Sequence, residues 1–466
     1  MENSNQKLLI IGAGLCGSLL ALRMAQRGYQ VQLVEKRPDL REITQDAGRS
    51  INLSLSDRGL KALRLAGVEK QALELCIPMY GRMIHDIKGN TFMSDYSGRE
   101  GEYINSISRP GLNMLLLDQA QAMPNVELIF NKGCTAVDLK QGSATFVDHH
   151  TKQESIFKGD LILATDGAGS VVRKAMFNKP ELLFSFSQQW LTHGYKEITI
   201  PATKDGGYRT EKGALHIWPR GEDMLIALPN LDGSFTVTLF APYANTKYCF
   251  DNLTTPEIVL EYFNQHYPDA IALMPNLVTE FFENPTGPLG TIRCNPWHCY
   301  EKVVLLGDAA HAIVPFYGQG MNASFEDVFV FDQILNKYQG DWKAVLTAYE
   351  KTRRKDTDAI ANLALDNFHE MKEHTASPLF QEKRKLEMAF EGQFPTAYSS
   401  KYSLVTFNED ISYHQAMTRG RAQDKTILKL LSDGSLPEHM KTKDKLNLVQ
   451  QQTNALLEKS EAARKI

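Results

Sequence analysis

Two periods of apolar residues run along this chain, and the places where one gives way to the other mark its parts. Residues 7–11 are a short unbroken apolar run, as expected of a strand buried on both faces. After a glycine-rich turn, Leu19, Leu20, Leu22 and Met24 continue as a helix that Gly28 ends, and 30–34 is a second strand. Strand, helix and strand in this order predict a βαβ unit. Residues 57–66 and 109–123 read as helices, the second with Leu112, Leu115, Leu116 and Ala120 on one face. Residues 79–103 are a Gly-rich polar excursion with strand-like pieces. The runs 128–130, 135–139 and 144–147 predict a small antiparallel sheet, and 160–164 a return to a core strand.

From about 182 to 282 the pattern changes. Residues 214–218, 223–228 and 234–240 are strand-like, with turn signals at Arg220-Gly221 and Asp232-Gly233. Residues 303–306 form another parallel-type strand and 322–337 a helix carrying Phe325, Val328, Phe329 and Leu335. From Trp342 onward the chain is mostly helical. The stretch from Lys441 is polar and reads as a surface helix. No repeat or low-complexity tract interrupts the chain.

Composition narrows the class without choosing a function. A chain of 466 residues is too long for one simple core, so two or three domains are expected. The net charge of −4 gives no basic face on average, which argues against nucleic acid as the main partner. The six cysteines form no CxxC pair and read as reduced thiols of a cytoplasmic protein. No segment supplies the ~20 uninterrupted apolar residues of a membrane helix, and no histidine cluster has metal-site spacing.

The chemistry begins at Gly12-Ala13-Gly14-Leu15-Cys16-Gly17, between the first strand and helix. Gly12 permits the tight turn, Gly14 lets the backbone approach a pyrophosphate, and Gly17 lets helix and strand pack closely. The helix start, with Leu15, offers free N–H groups to phosphates. Glu35 ends the second strand 18 residues past Gly17, placed to accept from ribose hydroxyls. Lys36, Arg37 and Leu53 join this cofactor set. Three later signals extend it: Arg109 at a helix start, Asp166-Gly167 after a core strand, and Gly307-Asp308, where Asp308 is positioned to accept from a ribitol hydroxyl. In this order they describe one extended molecule, FAD, bound non-covalently. Gly318, Gln319, Gly320, Met321 and Asn322 start a helix whose dipole favours the negative charge of a reduced flavin, so this segment is the expected ring cradle.

A flavin enzyme acting on an aromatic ring needs an apolar wall beside that cradle. Ile226 and Leu228 share one strand face, and Thr236, Thr238 and Phe240 share the next, with Leu215, Phe316 and Met371 to complete it. Pattern alone leaves this set open between an ordinary sheet core and a pocket. Arg82 is likewise open between a surface arginine and a carboxylate clamp. No Ser-His-Asp or Cys-His arrangement asks for a hydrolase reading. A second GxGxxG is missing, so a nicotinamide cofactor would bind transiently against the flavin domain.

The GxGxxG, DG and GD motifs in this order resemble the class A flavoprotein aromatic hydroxylases. Within them the chain is similar to the kynurenine 3-monooxygenase family. The likeness lies in Gly48-Arg49-Ser50-Ile51-Asn52-Leu53, Gly81-Arg82-Met83, Ala214 to Pro219, Ala227 to Asp232, Ser234 to Phe240, Val314-Pro315-Phe316 with Gly318 to Asn322, and Tyr402 to Phe407. It implies an α/β protein with a Rossmann-like FAD-binding domain, a mainly antiparallel β-sheet substrate domain and a helical C-terminal region. The expected parts are 1–180 and 285–360 for FAD, 181–284 for the substrate sheet with help from 76–105, and 361–466 for the helical region. The implied reaction hydroxylates L-kynurenine to 3-hydroxykynurenine with NADPH and O2 through a flavin C4a-hydroperoxide. By resemblance, Arg82, Tyr96 and Tyr402 hold the substrate carboxylate and Asn367 lies near its amine, with Pro315 and Phe316 at the ring. Position 317 is Tyr where some family members carry His or Phe, so no role is carried to it. Eukaryotic relatives have a C-terminal membrane-anchoring helix, and this chain is expected to be a soluble bacterial-type form. The competing readings are a hydroxylase of another aromatic acid and an FAD-bound interaction protein without turnover.

Overall fold

The structure, a computed structural model, describes residues 5–42, 52–373 and 377–464, without the side chains of 371–373, 461, 463 and 464. The likeness at Gly48 to Ile51 and the Met371 side chain therefore lie outside the described residues. The apolar runs assemble into a six-stranded sheet in the order His298–Cys299, Val303–Leu305, Leu161–Ala164, Lys7–Ile11, Gln30–Val34, Val126–Ile129. All its pairings are parallel except the His298–Cys299 edge. Leu8, Leu9, Ile10 and Leu161 to Ala164 are wholly buried, as unbroken apolar runs in a sheet covered on both faces require. Helix Leu15–Gln26 packs beside Arg109–Gln121 and Gly320–Tyr338, so the glycine turn, the Arg109 helix start and the cradle helix share one layer.

The strand at 128–130 departs from expectation. Val126–Ile129 pairs in parallel with Gln30–Val34, and the small antiparallel sheet is built instead from Lys132–Asp138, Ser143–Asp148 and Glu154–Lys158. A short apolar run carries no information about its partner. On helix Arg109–Gln121 the buried set is Leu112, Asn113, Leu116, Leu117 and Ala120, with Leu115 only partly covered.

A seven-stranded sheet runs Gly287–Asn295, Ser185–Ile200, Phe235–Pro242, Asp223–Pro229, Ala214–Arg220, Gly81–His85, Thr91–Asp95. Ser185–Ile200 and Gly287–Asn295 are additions to the pattern reading. The first half of Ser185–Ile200 is exposed and shows no alternation, and Gly287-Pro288 reads as a turn. One sheet face buries Trp218, Leu225, Ala227, Val237 and Leu239 against Val259, Tyr262, Phe263 and Phe281 of the helices that follow. Register places Ile217, Ile226, Thr238 and Glu197 in one row of the opposite face, and Arg82 beside Leu215 in the next. That face looks toward the cradle and the C-terminal helices. A third, three-stranded sheet of Asn52–Leu55, Ile104–Ser108 and Cys76–Met79 joins the two large ones. Asn52 and Ser106 both donate to the Pro229 carbonyl, fixing it to the substrate-side sheet.

Candidate functional site

The glycine turn separates into two kinds of glycine. Gly12 has φ +101°, and a Cβ there would lie 2.6 Å from the Thr165 carbonyl oxygen. A Cβ at Gly17 would lie 2.0 Å from the Gly12 carbonyl oxygen. These two serve the strand-to-helix packing itself. Gly14 is different: its φ of −71° suits any residue, and a Cβ would meet nothing within 4 Å among the described residues. The open space lies at the start of helix Leu15–Gln26, which has no side-chain cap and no acidic residue in its first turn. Free N–H groups, positive dipole and open space together fit a pyrophosphate.

Glu35 is buried, and its Oε2 accepts from the Ala13 N–H at 2.8 Å. Its Oε1 accepts from the Arg37 N–H at 3.0 Å and from Arg37 Nε at 2.8 Å. Burial pushes the carboxyl up, but Arg37 and the Ala13 N–H outweigh it and hold the carboxyl below its ordinary value. An ionised acceptor at this strand end suits ribose hydroxyls. Lys36 is exposed, and Leu53 lies partly buried on the central core. Asp308 is exposed at the start of a helical turn. Asp166 Oδ2 accepts from the Val171 and Val172 N–H groups, while its Oδ1 is buried without a partner among the described residues. Arg109 is exposed at its helix start. Its charge opposes the burial that lifts Glu197 to about 7.

Gly318 has φ +67° and ends the Pro315–Tyr317 turn; Gly320 begins helix Gly320–Tyr338, which again has no side-chain cap. The polar side chains here hold the cradle together. Asn322 donates to the Ser54 and Gly318 carbonyls and accepts from the Ser56 N–H. Gln319 accepts from the Tyr413 hydroxyl at 2.9 Å. Their side chains are thus engaged with the protein, and Met321 is partly buried on the core. Beneath them lies a buried ionic chain. Arg58 and Arg353 both reach Glu326, Arg353 reaches Asp327, and Asp327 meets His311 at 2.5 Å and accepts from the Gly307 N–H at 2.8 Å. A fully partnered network of this kind fixes the cradle and the Gly307 turn relative to each other.

The second half of the site lies on the sheet. The Arg82 guanidinium sits 4.4 Å from the Tyr402 ring centroid and 4.9 Å from that of Tyr96. The two rings are nearly parallel, at 10° and 5.8 Å. Tyr317 also stacks on Tyr402, at 5.6 Å. Tyr96 is wholly buried, yet its hydroxyl has no hydrogen-bond partner among the described residues. Burial raises the Tyr96 and Tyr317 phenols, so both stay protonated and can donate. Arg82 has no ion pair there among the described residues either. A guanidinium without an ion pair over the ring of a tyrosine whose buried hydroxyl is unpaired is a donor set for a carboxylate.

Leu215, Ile226, Leu228 and Tyr402 share one apolar cluster with Tyr96, and Phe240 and Phe316 continue it at 5.1 Å between centroids. Phe368, which the sequence reading did not single out, packs on Phe316 at 4.6 Å. Asn367 donates to the Phe316 carbonyl at 2.6 Å, bracing the turn, while Pro315 itself is exposed. Tyr317 carried only the signal of an aromatic beside the cradle glycines. His85 and His216 lie on the opposite sheet face, bonded to each other at 2.9 Å, and burial lowers His216 to about 4.

Residues 5–364 match the family described as FAD binding domain. Among curated proteins the chain is 44% identical to the kynurenine 3-monooxygenase of Myxococcus xanthus, covering 93% of this chain and 92% of that one. It is 41% identical to the kynurenine 3-monooxygenase of Dictyostelium discoideum, covering 92% and 93%. Among solved structures, the tetrameric form of 2-methyl-3-hydroxypyridine-5-carboxylic acid oxygenase aligns with a TM-score of 0.63 at 22% identity over 84% of this chain and 96% of that one. P. aeruginosa PqsL in complex with 2-aminobenzoylacetate aligns at 0.64 and 18% identity over 79% and 97%. At such identities these structures speak for the fold alone. With the sequence relatives spanning nearly the full chain, the protein belongs to the FAD binding domain family and, within it, to the kynurenine 3-monooxygenases.

Proposed function

We propose that this chain hydroxylates L-kynurenine to 3-hydroxykynurenine with NADPH and O2. The observation that carries the substrate choice is Arg82, lying over both the Tyr96 and Tyr402 rings, with the buried Tyr96 hydroxyl unpaired among the described residues. Arg82 binds the amino-acid carboxylate, and Tyr96 and Tyr402 donate to it. Leu215, Ile226, Leu228, Phe240 and Phe316 hold the aromatic ring and keep water from it. FAD, when bound, would supply the redox chemistry of hydride uptake from NADPH and activation of O2. An aniline nitrogen already pushes electron density onto the ring, so the protein has no phenol to ionise. Residues 1–180 and 285–360 serve the cofactor, 181–284 with 76–105 the substrate, and 361–466 is the helical C-terminal region. No helix of the described residues is long and apolar enough to cross a membrane. The six unpaired cysteines support a reducing, cytoplasmic setting.

The test is oxygen uptake over a panel of aromatic amino acids and hydroxybenzoates, with product identification. L-Kynurenine is expected to give 3-hydroxykynurenine with matching NADPH consumption. Turnover of a hydroxybenzoate with none of kynurenine would replace this reading with another hydroxylase.

A further inference from the structure

One buried carboxylate outside the pocket joins the two segments that carry the clamp tyrosines. Glu391, on helix Pro378–Gln393, is wholly buried. Its Oε2 accepts from the Gly98 N–H at 3.1 Å, and its Oε1 accepts from the Ser400 N–H at 2.8 Å. Gly98 lies two residues after Tyr96, and Ser400 two residues before Tyr402. The contact is close. A Cβ at Gly98 would lie 2.1 Å from the Met388 carbonyl oxygen, so the Tyr96 segment rests directly on the helix backbone.

Arg99 makes a second link between the same segments. Its Nε donates to the Pro395 carbonyl at 3.1 Å and its Nη2 to Ser399 Oγ at 2.7 Å and to the Tyr398 carbonyl. Its Nη1 lies 3.6 Å from Glu391 Oε1. Burying a carboxylate is costly, and stability alone is served as well by apolar packing. What a two-oxygen acceptor adds is a fixed geometry between the two backbones it holds.

We propose that Glu391, together with Arg99, is a positioning group for substrate recognition. It sets the spacing of the stacked Tyr96 and Tyr402 rings beneath Arg82 without touching the substrate. The proposal rests on the reading of these three residues as a carboxylate clamp.

The test uses FAD-loaded enzyme with Glu391→Gln. Glutamine keeps one acceptor but turns an NH2 group toward the other N–H, so one link is lost. The KM for L-kynurenine, and its Kd read from the flavin absorbance change, are expected to rise about tenfold. kcat should stay within about twofold and FAD content unchanged. Decarboxylated kynurenine, which has nothing for the clamp to hold, should bind equally to both enzymes. In a Tyr96→Phe/Tyr402→Phe background, Glu391→Gln should change kynurenine affinity less than about twofold, because the hydroxyls it positions are gone. An unchanged KM, an equal loss for both ligands, or a tenfold loss persisting in the Phe background would each overturn the proposal. Arg99→Gln is the second variant and decides the matter where Glu391→Gln gives no soluble protein. It should show the same split between the two ligands, and wild-type affinity in it would overturn the proposal. Wild-type enzyme that leaves kynurenine unhydroxylated would instead remove the functional reading, before any variant is compared.

Discussion

Gly14→Val separates the role of a glycine in the fold from its role toward the cofactor. Gly14 is the N-cap of helix Leu15–Gln26, with φ −71° and ψ −177°, which valine can adopt. A Cβ there meets nothing within 4 Å among the described residues. Losing glycine at an N-cap costs the cofactor-free protein about 1 kcal/mol at most. The cofactor is affected far more. The valine side chain fills the space where a pyrophosphate would approach the N–H groups of the first turn. Losing two charge-assisted hydrogen bonds removes roughly 3–6 kcal/mol, or about 10²–10⁴ in affinity. Gly17→Ala is the contrast. Its Cβ lies 2.0 Å from the Gly12 carbonyl oxygen and 2.5 Å from Thr165 Oγ1, so the turn itself must move, at about 1–3 kcal/mol of folding stability. The assay is FAD titration of stripped protein by flavin fluorescence quenching, with the Tm of the stripped protein measured alongside. Valine at 14 should leave Tm nearly unchanged and abolish tight FAD binding, whereas alanine at 17 should lower both. Wild-type FAD affinity in Gly14→Val would refute the assignment of the open space to pyrophosphate.

Arg82→Ala should weaken L-kynurenine binding tenfold or more, from the ~2–5 kcal/mol lost on truncating a buried charge-assisted pair, while FAD stays bound. An equal loss for decarboxylated kynurenine would make Arg82 a support for the fold or flavin instead. By family membership, flavin reduction by NADPH should be fast only with L-kynurenine present; stopped-flow rates equal with and without it would count against this. Asp223 is buried, accepts from the Tyr262 hydroxyl at 2.8 Å, and is pushed up to about 6 by burial. The folded state therefore holds this proton more tightly than the unfolded chain, and the cost of ionisation grows as pH rises through 6. Asp223→Asn should stabilise the protein more at pH 8 than at pH 4.5, by roughly 2 kcal/mol. Equal changes in unfolding free energy at the two pH values would show that Asp223 ionises freely.

The turn after the first strand is legible in the sequence because its chemistry is local. Gly12, Gly14 and Gly17 lie within six residues, and Glu35 follows at the end of the next strand, so covalent geometry alone brings them to one place. The apolar runs at 7–11, 160–164 and 303–306 announced buried parallel strands for the same reason. Val126–Ile129 shows where such reading stops. Its apolar character was visible, but its choice of Gln30–Val34 over the neighbouring antiparallel strands depends on what each edge leaves unpaired.

The clamp residues are legible only by resemblance, since nothing in the spacing of Arg82, Tyr96 and Tyr402 links them. Tertiary structure alone decided that Gly81–His85 pairs with Ala214–Arg220, placing Arg82 beside Leu215. It also decided that Tyr317 stacks on Tyr402 and that Glu391 joins Gly98 to Ser400. A sequence determines by itself what is settled within a turn of helix or a pair of adjacent strands. Contacts between residues hundreds of positions apart depend on which surfaces remain to be buried once those local elements have formed, and that is a property of the packed chain as a whole.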